Sequence, residues 1–166
     1  MLRLPNNAVQ KAMIANLQKY LPELAVYDFV PQSANLPYVT IGNMVTNDIS
    51  TKTEDRYKVD MQINIWSNYH GKYQVNHIAQ QIINVLQNQE TAELDLTADN
   101  FKLEAIAVNM YEAYPEDQSG YNGVINAEMR IVNTENKTAA AKTKSKTTEA
   151  NEVKENEVKE SNESEE

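Results

Sequence analysis

Two histidines, His70 and His77, are the only imidazoles in a chain of 166 residues that has no cysteine. A helical metal pair needs ligands about one turn apart with carboxylates converging on them. These two lie seven positions apart, across a turn and the start of a helical pattern, and His77 sits between Asn76 and Ile78 at the margin of an apolar stripe. Solvated surface is the simpler reading. Adjacent acids occur at Glu54 with Asp55 and at Glu116 with Asp117, both in stretches that read as loops. General acid and base work needs carboxylates in contrasting environments on a rigid frame, which sequence neighbours on loops do not supply. The four glycines, Gly42, Gly71, Gly120 and Gly123, are too scattered for a phosphate loop, and no nucleophile elbow or zinc-helix motif is present. A small hydrolase or metal enzyme would have to carry His70 or His77 onto acids across the fold. The residues point instead to a protein with no catalytic site, cofactor or metal.

The elements that would have to position any site can be read from periodicity. Val9, Ala12, Met13, Leu17, Tyr20 and Leu21 recur at helical steps, so an amphipathic helix is predicted from about Ala8 to Leu21, capped by Asn6 or Asn7 and ended by Pro22. Leu24 to Val30 reads as a short strand stopped by Pro31, and Tyr38 to Val45, rich in β-branched residues, as another. Thr46 to Asp55 (TNDISTKTED) is polar except for Ile49 and reads as a long hairpin loop or a flexible extension. Tyr57, Val59, Met61, Ile63 and Ile65 then alternate with polar residues up to Trp66, the signature of a strand with one buried face. Val75, Ile78, Ala79, Ile82, Val85 and Leu86 make the stripe of a second helix, from Lys72 to about Gln89. Glu90 to Asn100 reads as a loop with room for a short strand at Leu94 to Leu96. Two last strands, Phe101 to Tyr114 and Tyr121 to Val132, flank a hairpin loop at Pro115 to Gly120, and a change of apolar phase calls for a bulge near Ala105. The expected fold class is α+β: an antiparallel or mixed sheet of about four to five strands with two helices packed on it, plus a disordered C-terminal tail.

Length and composition agree with a single core. At 41% hydrophobic residues, one core can be filled and a second hardly so. Composition changes at about Thr134, after which Glu, Lys, Thr, Asn, Ser and Ala dominate and NEVKE at Asn151 to Glu155 repeats at Asn156 to Glu160. The expectation is therefore a folded domain over 1–134 and a low-complexity acidic tail over 135–166. The net charge of −9 is shared by both parts, and an acidic surface lacks the basic patch that drives nucleic-acid binding. Neither a signal-peptide run at the N-terminus nor a stretch of roughly 20 apolar residues is present, so no export signal and no membrane span are expected. Trp66, Tyr69 and Tyr73 bracket the strand-to-helix turn, where they would form either a sticky patch for a neighbouring subunit or a small core under the turn.

One order of motifs is more telling than its pieces. Leu36 to Gly42 (LPYVTIG) is followed by a polar loop holding Ser50, Thr51 and Lys52, then by the alternating strand ending in Ile65, Trp66 and Ser67, then by Tyr69, Gly71 and an amphipathic helix. From about Ala8 to Val132 this resembles the tail-completion or tail-terminator proteins of long-tailed bacteriophages. The resemblance implies an α+β subunit that forms a ring, usually a hexamer, at the head-proximal end of the tail tube. Such a ring would terminate tube polymerisation and join the tail to the head. Its partners would be further copies of itself, the tail tube protein and a head-completion or connector protein. DNA would pass through without specific binding, and like charge would keep the duplex moving. The place implied is the virion neck, with the host cytoplasm during assembly. Another neck or head-completion adaptor, or a non-structural phage regulator, is the alternative. On this reading the partner interface falls on Asn47, Asp48, Ile49, Ser50, Thr51, Lys52 and Thr53 of the loop, joined by Trp66, Tyr69 and Tyr73.

Overall fold

The computed structural model describes residues 3–116 and 120–135. Helix α1 spans Asn6–Tyr20, strand β1 Ala25–Tyr27, β2 Tyr38–Asp48, β3 Arg56–Ser67, α2 Tyr73–Gln87, β4 Phe101–Pro115 and β5 Tyr121–Asn133. The strands form one sheet in the order β1-β2-β3-β5-β4. All neighbours are antiparallel except β1 and β2, which run parallel, so the sheet is mixed. The five strands and two helices are those the α+β reading expects.

Alternation along β3 decides the layering. Tyr57, Val59, Met61, Ile63 and Ile65 are all fully buried, and their partners Ile131, Met129, Ala127 and Ile125 on β5 are too. Against this face lie Val9, Met13 and Leu17 of α1 and Val75, Ile82 and Leu86 of α2, giving one core. Each such side chain contributes about 1.5–3 kcal/mol on leaving water. The other face carries Arg56, Lys58, Asp60, Gln62, Asn64 and Trp66, all half-buried, and no helix covers it among the described residues.

Several local expectations are corrected. Helix α1 begins two residues early, at Asn6, with Pro5 in the cap position and Val9 N donating to Pro5 O at 2.9 Å. Neither Asn6 nor Asn7 caps it; Asn6 Oδ1 instead accepts a hydrogen bond from Thr46 Oγ1 at 2.8 Å, tying the helix to β2. The strand expected over Leu24 to Val30 shrinks to three residues, because only Ala25, Val26 and Tyr27 find partners, at Tyr38, Val39 and Thr40. Leu94 and Leu96 are buried but form no strand, and a 3-10 turn at Thr97–Asp99 follows them. The long loop is shorter than its composition suggests: Thr46, Asn47 and Asp48 pair with Val59, Lys58 and Tyr57. Polar side chains do not prevent a backbone ladder where one face is open to water.

The bulge expected near Ala105 is present, with Glu104 as the extra residue between Leu103 and Ala105. A second falls at Asn109, and a third in β2, where Gly42 and Asn43 together face Gln62. A Cβ at Gly42 would stand 2.5 Å from Asn64 Nδ2, so a larger residue there would displace that side-chain amide. Part of the loop expected at Pro115 to Gly120, and the tail expected over 135–166 beyond Glu135, lie outside the described residues.

Candidate functional site

The tip of the β2–β3 hairpin is built by its own hydroxyls. Asp48 Oδ1 accepts from Ser50 N at 2.8 Å, and the Ser50 hydroxyl first and this backbone bond second hold the Asp48 carboxyl below its ordinary value. Ser50 Oγ accepts from Arg56 N at 3.0 Å across the hairpin, and Ile49 N donates to Arg56 O at 2.9 Å. Thr51 closes the end, its N donating to Glu54 O at 2.9 Å and its Oγ1 accepting from Glu54 N at 3.2 Å. Serine and threonine suit this use because their hydroxyls mimic backbone groups in tight turns. The tip is thus a hydrogen-bonded hairpin end that is exposed throughout, from Asn47 to Thr53.

On the uncovered face a charge network runs across three strands. Arg56 gives Nε and Nη2 to Glu54 Oε2 at 3.0 and 2.7 Å and Nη1 to Glu104 Oε2 at 2.8 Å. Its pKa is raised by Glu54 first and Glu104 next. Lys58 Nζ lies 3.0 Å from Glu128 Oε2 and 3.8 Å from Asp60 Oδ2, while Asn109 Nδ2 donates to Glu128 Oε2 at 3.0 Å. Glu128 is accordingly held below its ordinary value, by Lys58 first and then Asn109. Glu104 and Asn109 are the two bulge residues of β4, so each bulge turns a polar side chain onto a charge of the central strands. Sequence reasoning found the first bulge but not what it aims, because nothing local to β4 marks its cross-strand partners.

At the far end of the same face the aromatic residues meet. Tyr27 packs edge-on against Tyr38, with centroids 5.8 Å apart, and Tyr38 lies 6.4 Å from Trp66. Trp66 Nε1 donates to Thr40 Oγ1 at 2.9 Å. Tyr69 and Tyr73 do not join this group. Both stand exposed, Tyr69 on the turn and Tyr73 on α2, which packs on the opposite face of the sheet from Trp66, and Tyr73 stacks on His77 with ring centroids 6.1 Å apart. The three aromatics grouped by sequence therefore belong to two surfaces. Ser67 explains the separation: it is buried, its Oγ donates to Gln74 Oε1 and accepts from Tyr69 N at 3.0 Å, and it swings the chain from one face of the sheet to the other.

For chemistry the surface offers little. His70 and His77 are both exposed, and among the described residues no three His, Cys, Asp or Glu side chains converge to hold a metal ion. A shallow cleft of about 330 Å³ beside α1 is lined by Asn7, Gln10, Lys11, Ile14 and Asp28, and Gln10 Nε2 donates to Asp28 Oδ1 within it. It has no nucleophile beside a base. Among the described residues no helix is long and apolar enough to cross a membrane.

The frame, the ordered hairpin and the motif order can now be set beside known proteins. The family model described as tail completion protein gp17 matches residues 8–131. The chain belongs to that family. Two solved structures share the tail completion protein's fold. One is a chain of the virion of a native gene transfer agent particle, 20% identical, with 79% of this chain and 99% of that one covered and a TM-score of 0.65. The other is the gp17 protein of bacteriophage SPP1, 19% identical, covering 80% and 94%, with a TM-score of 0.50. No curated protein matches the sequence. The region that makes this chain a tail completion protein contains the hairpin tip, the charge network and all of Trp66, Tyr69 and Tyr73.

Proposed function

We propose that this tail completion protein assembles as a ring, a hexamer by resemblance, on the head-proximal end of the tail tube, where it terminates tube polymerisation and joins the tail to the head. The observation that carries this is the family match over residues 8–131, nearly the whole of the sheet and both helices. The structure supports it with surface of the right kind: a sheet with one face uncovered, an ordered projecting hairpin, and exposed aromatics on two sides. We read the chain as structural and not enzymatic, since its charged groups pair with one another and its histidines face water.

In this reading the partners are further copies of the chain, the tail tube protein and a head-completion or connector protein. The gene transfer agent chain is part of a virion by its description, and we extend that place to this protein, in the neck, with the host cytoplasm during assembly. The hairpin tip from Asn47 to Thr53 is the contact we assign to tube or neighbour, with Trp66 on one face and Tyr69 and Tyr73 on the other as further contacts. Residues 1–134 carry the assembly, and 135–166 keep subunits apart beforehand. The net charge of −9 suits a ring that DNA crosses without sticking.

The test is to add purified protein to growing tubes of the cognate tail tube protein and image them by electron microscopy. Arrested growth with a cap at one end is expected. Tubes that lengthen unchecked while the protein binds isolated head connectors would replace this reading with a head-side adaptor.

A further inference from the structure

Two strand edges of the sheet lack partners over matching lengths. Strand β1 covers β2 only at Tyr38–Thr40, and from Ile41 to Asp48 no backbone bond among the described residues leaves the ladder with β3. On the other side β4 is the outermost strand, and beyond Phe101 N, which donates to Leu96 O, its outer groups are likewise unpaired among the described residues up to Pro115. The bulges divide each edge. Past Glu104 and Asn109 the regular run of β4 is Met110–Pro115, and past Gly42 and Asn43 that of β2 is Met44 to Ile49, Ile49 N still bonding to Arg56 O. Each run is six residues long.

The side chains on these runs match as well. Val45 is 56% exposed and Ile49 44%; Met110 is 43% exposed and Tyr114 40%. Val45 lies opposite Asp60, and Met110 and Tyr114 opposite Asn126 and Asn122, so the four share the uncovered face. On each run the two apolar residues are four apart with one polar residue midway, Asn47 or Glu112. The β2 run contains no Lys, Arg or Pro, the residues that commonly blunt an edge against pairing.

We propose that the β2 run of one copy pairs antiparallel with the β4 run of the next, setting Val45 beside Tyr114, Asn47 beside Glu112 and Ile49 beside Met110. This rests on the ring reading and names the surface that closes the ring. Three successive antiparallel pairings separate β2 from β4, so the two strands run in opposite directions within a subunit. A copy rotated about an axis along the strands therefore meets its neighbour in the antiparallel sense, with the same face outward. Such a head-to-tail contact generates a ring when the rotation closes. The register makes an aromatic and β-branched pair and an apolar pair, both favourable across strands. A twofold β4–β4 pairing would instead place Glu112 against Glu112, like charges directly opposite. Pro115, which cannot donate, ends the run opposite Met44, four residues beyond Thr40, so β1 and the incoming β4 share the edge without overlap.

Because the chain has no cysteine, engineered ones report cleanly. Val45→Cys and Tyr114→Cys proteins are mixed, assembled on tubes and oxidised, as are Ile49→Cys and Met110→Cys. Crosslinks in each mixture, and none in any single variant, are expected, since opposed cross-strand residues lie within disulfide reach. Val45→Lys and Met110→Lys, each folded by circular dichroism, should lose ring assembly by mass photometry and capping by microscopy. Rings formed undiminished by both lysine variants, or crosslinks in Val45→Cys alone, would overturn the pairing and leave the ring reading standing. Wild-type protein that forms no cap on tubes would overturn both.

Discussion

The indole nitrogen of Trp66 donates to the hydroxyl of Thr40, 2.9 Å away on the neighbouring strand. This bond satisfies the only tryptophan, on a face that no helix among the described residues covers. Thr40→Val keeps the shape and removes the acceptor, so a cost of about 1 kcal/mol is expected in urea unfolding. Emission from Trp66 should shift at the same time, giving a direct reporter. Unchanged stability and emission would show that water replaces the hydroxyl without loss.

Two glycines with nearly equal backbone angles should respond unequally. Gly120 has φ +140° and a Cβ there would stand 2.2 Å from Ser67 O, whereas at Gly71, φ +139°, the nearest atom is Tyr69 Cε1 at 3.7 Å. Gly71→Ala meets only the conformational penalty of a positive φ, about 1–2 kcal/mol. Gly120→Ala adds a backbone clash and should cost more than about 2 kcal/mol. Thermal unfolding of the pair decides it, and equal losses would mean that the Ser67 backbone yields.

Acid should weaken the fold in part through Glu128. Its carboxyl is held below the ordinary 4.5 by Lys58 and Asn109, so the unfolded chain binds its proton more readily than the folded one. The contribution is complete above pH 4.5 and is lost as pH falls through the lower, folded value. Asp48, held below 3.8 by Ser50, adds a loss in the same direction. Glu128→Gln should therefore flatten the fall in melting temperature as pH drops below about 5. A fall as steep as in the wild type would remove Glu128 from the account.

The hairpin tip invites a test that spares its frame. Deleting Asn47 to Thr53 would remove strand residues paired with Lys58 and Tyr57 and confuse contact with folding. Lys52→Glu changes one exposed tip charge instead and should weaken tube capping about tenfold or more while the melting temperature stays within about 1 °C. Full capping by this variant would take Lys52 out of the interface.

Much of the fold is legible because period and burial agree: Tyr57 to Ile65 alternates as it packs, and Val75 to Leu86 forms its stripe as α2 does. Legibility fails where partners are distant. Nothing local tells that Ala25–Tyr27 pairs parallel to Tyr38–Thr40, or that Thr46 to Asp48 continues a strand through polar residues. Trp66 and Tyr73 are seven residues apart in sequence, yet the turn after Ser67 carries the chain from the open face of the sheet to α2 on the other. The surface roles of Val45 and Met110 were invisible for the same reason, since exposure on an edge exists only once the strand order does.

The strand order also has a consequence in time. β2 and β3 form one hairpin and β4 and β5 another, each closed locally, while the central pair joins Arg56 to Val132 across all of α2 and β4. Closing that long loop costs chain entropy before any contact repays it, so docking of the two hairpins is expected to be the slow step of folding. Until β3 meets β5, the two outer edges belong to separate half-sheets. A nascent chain is thereby kept from offering both edges on one finished surface before its core has closed.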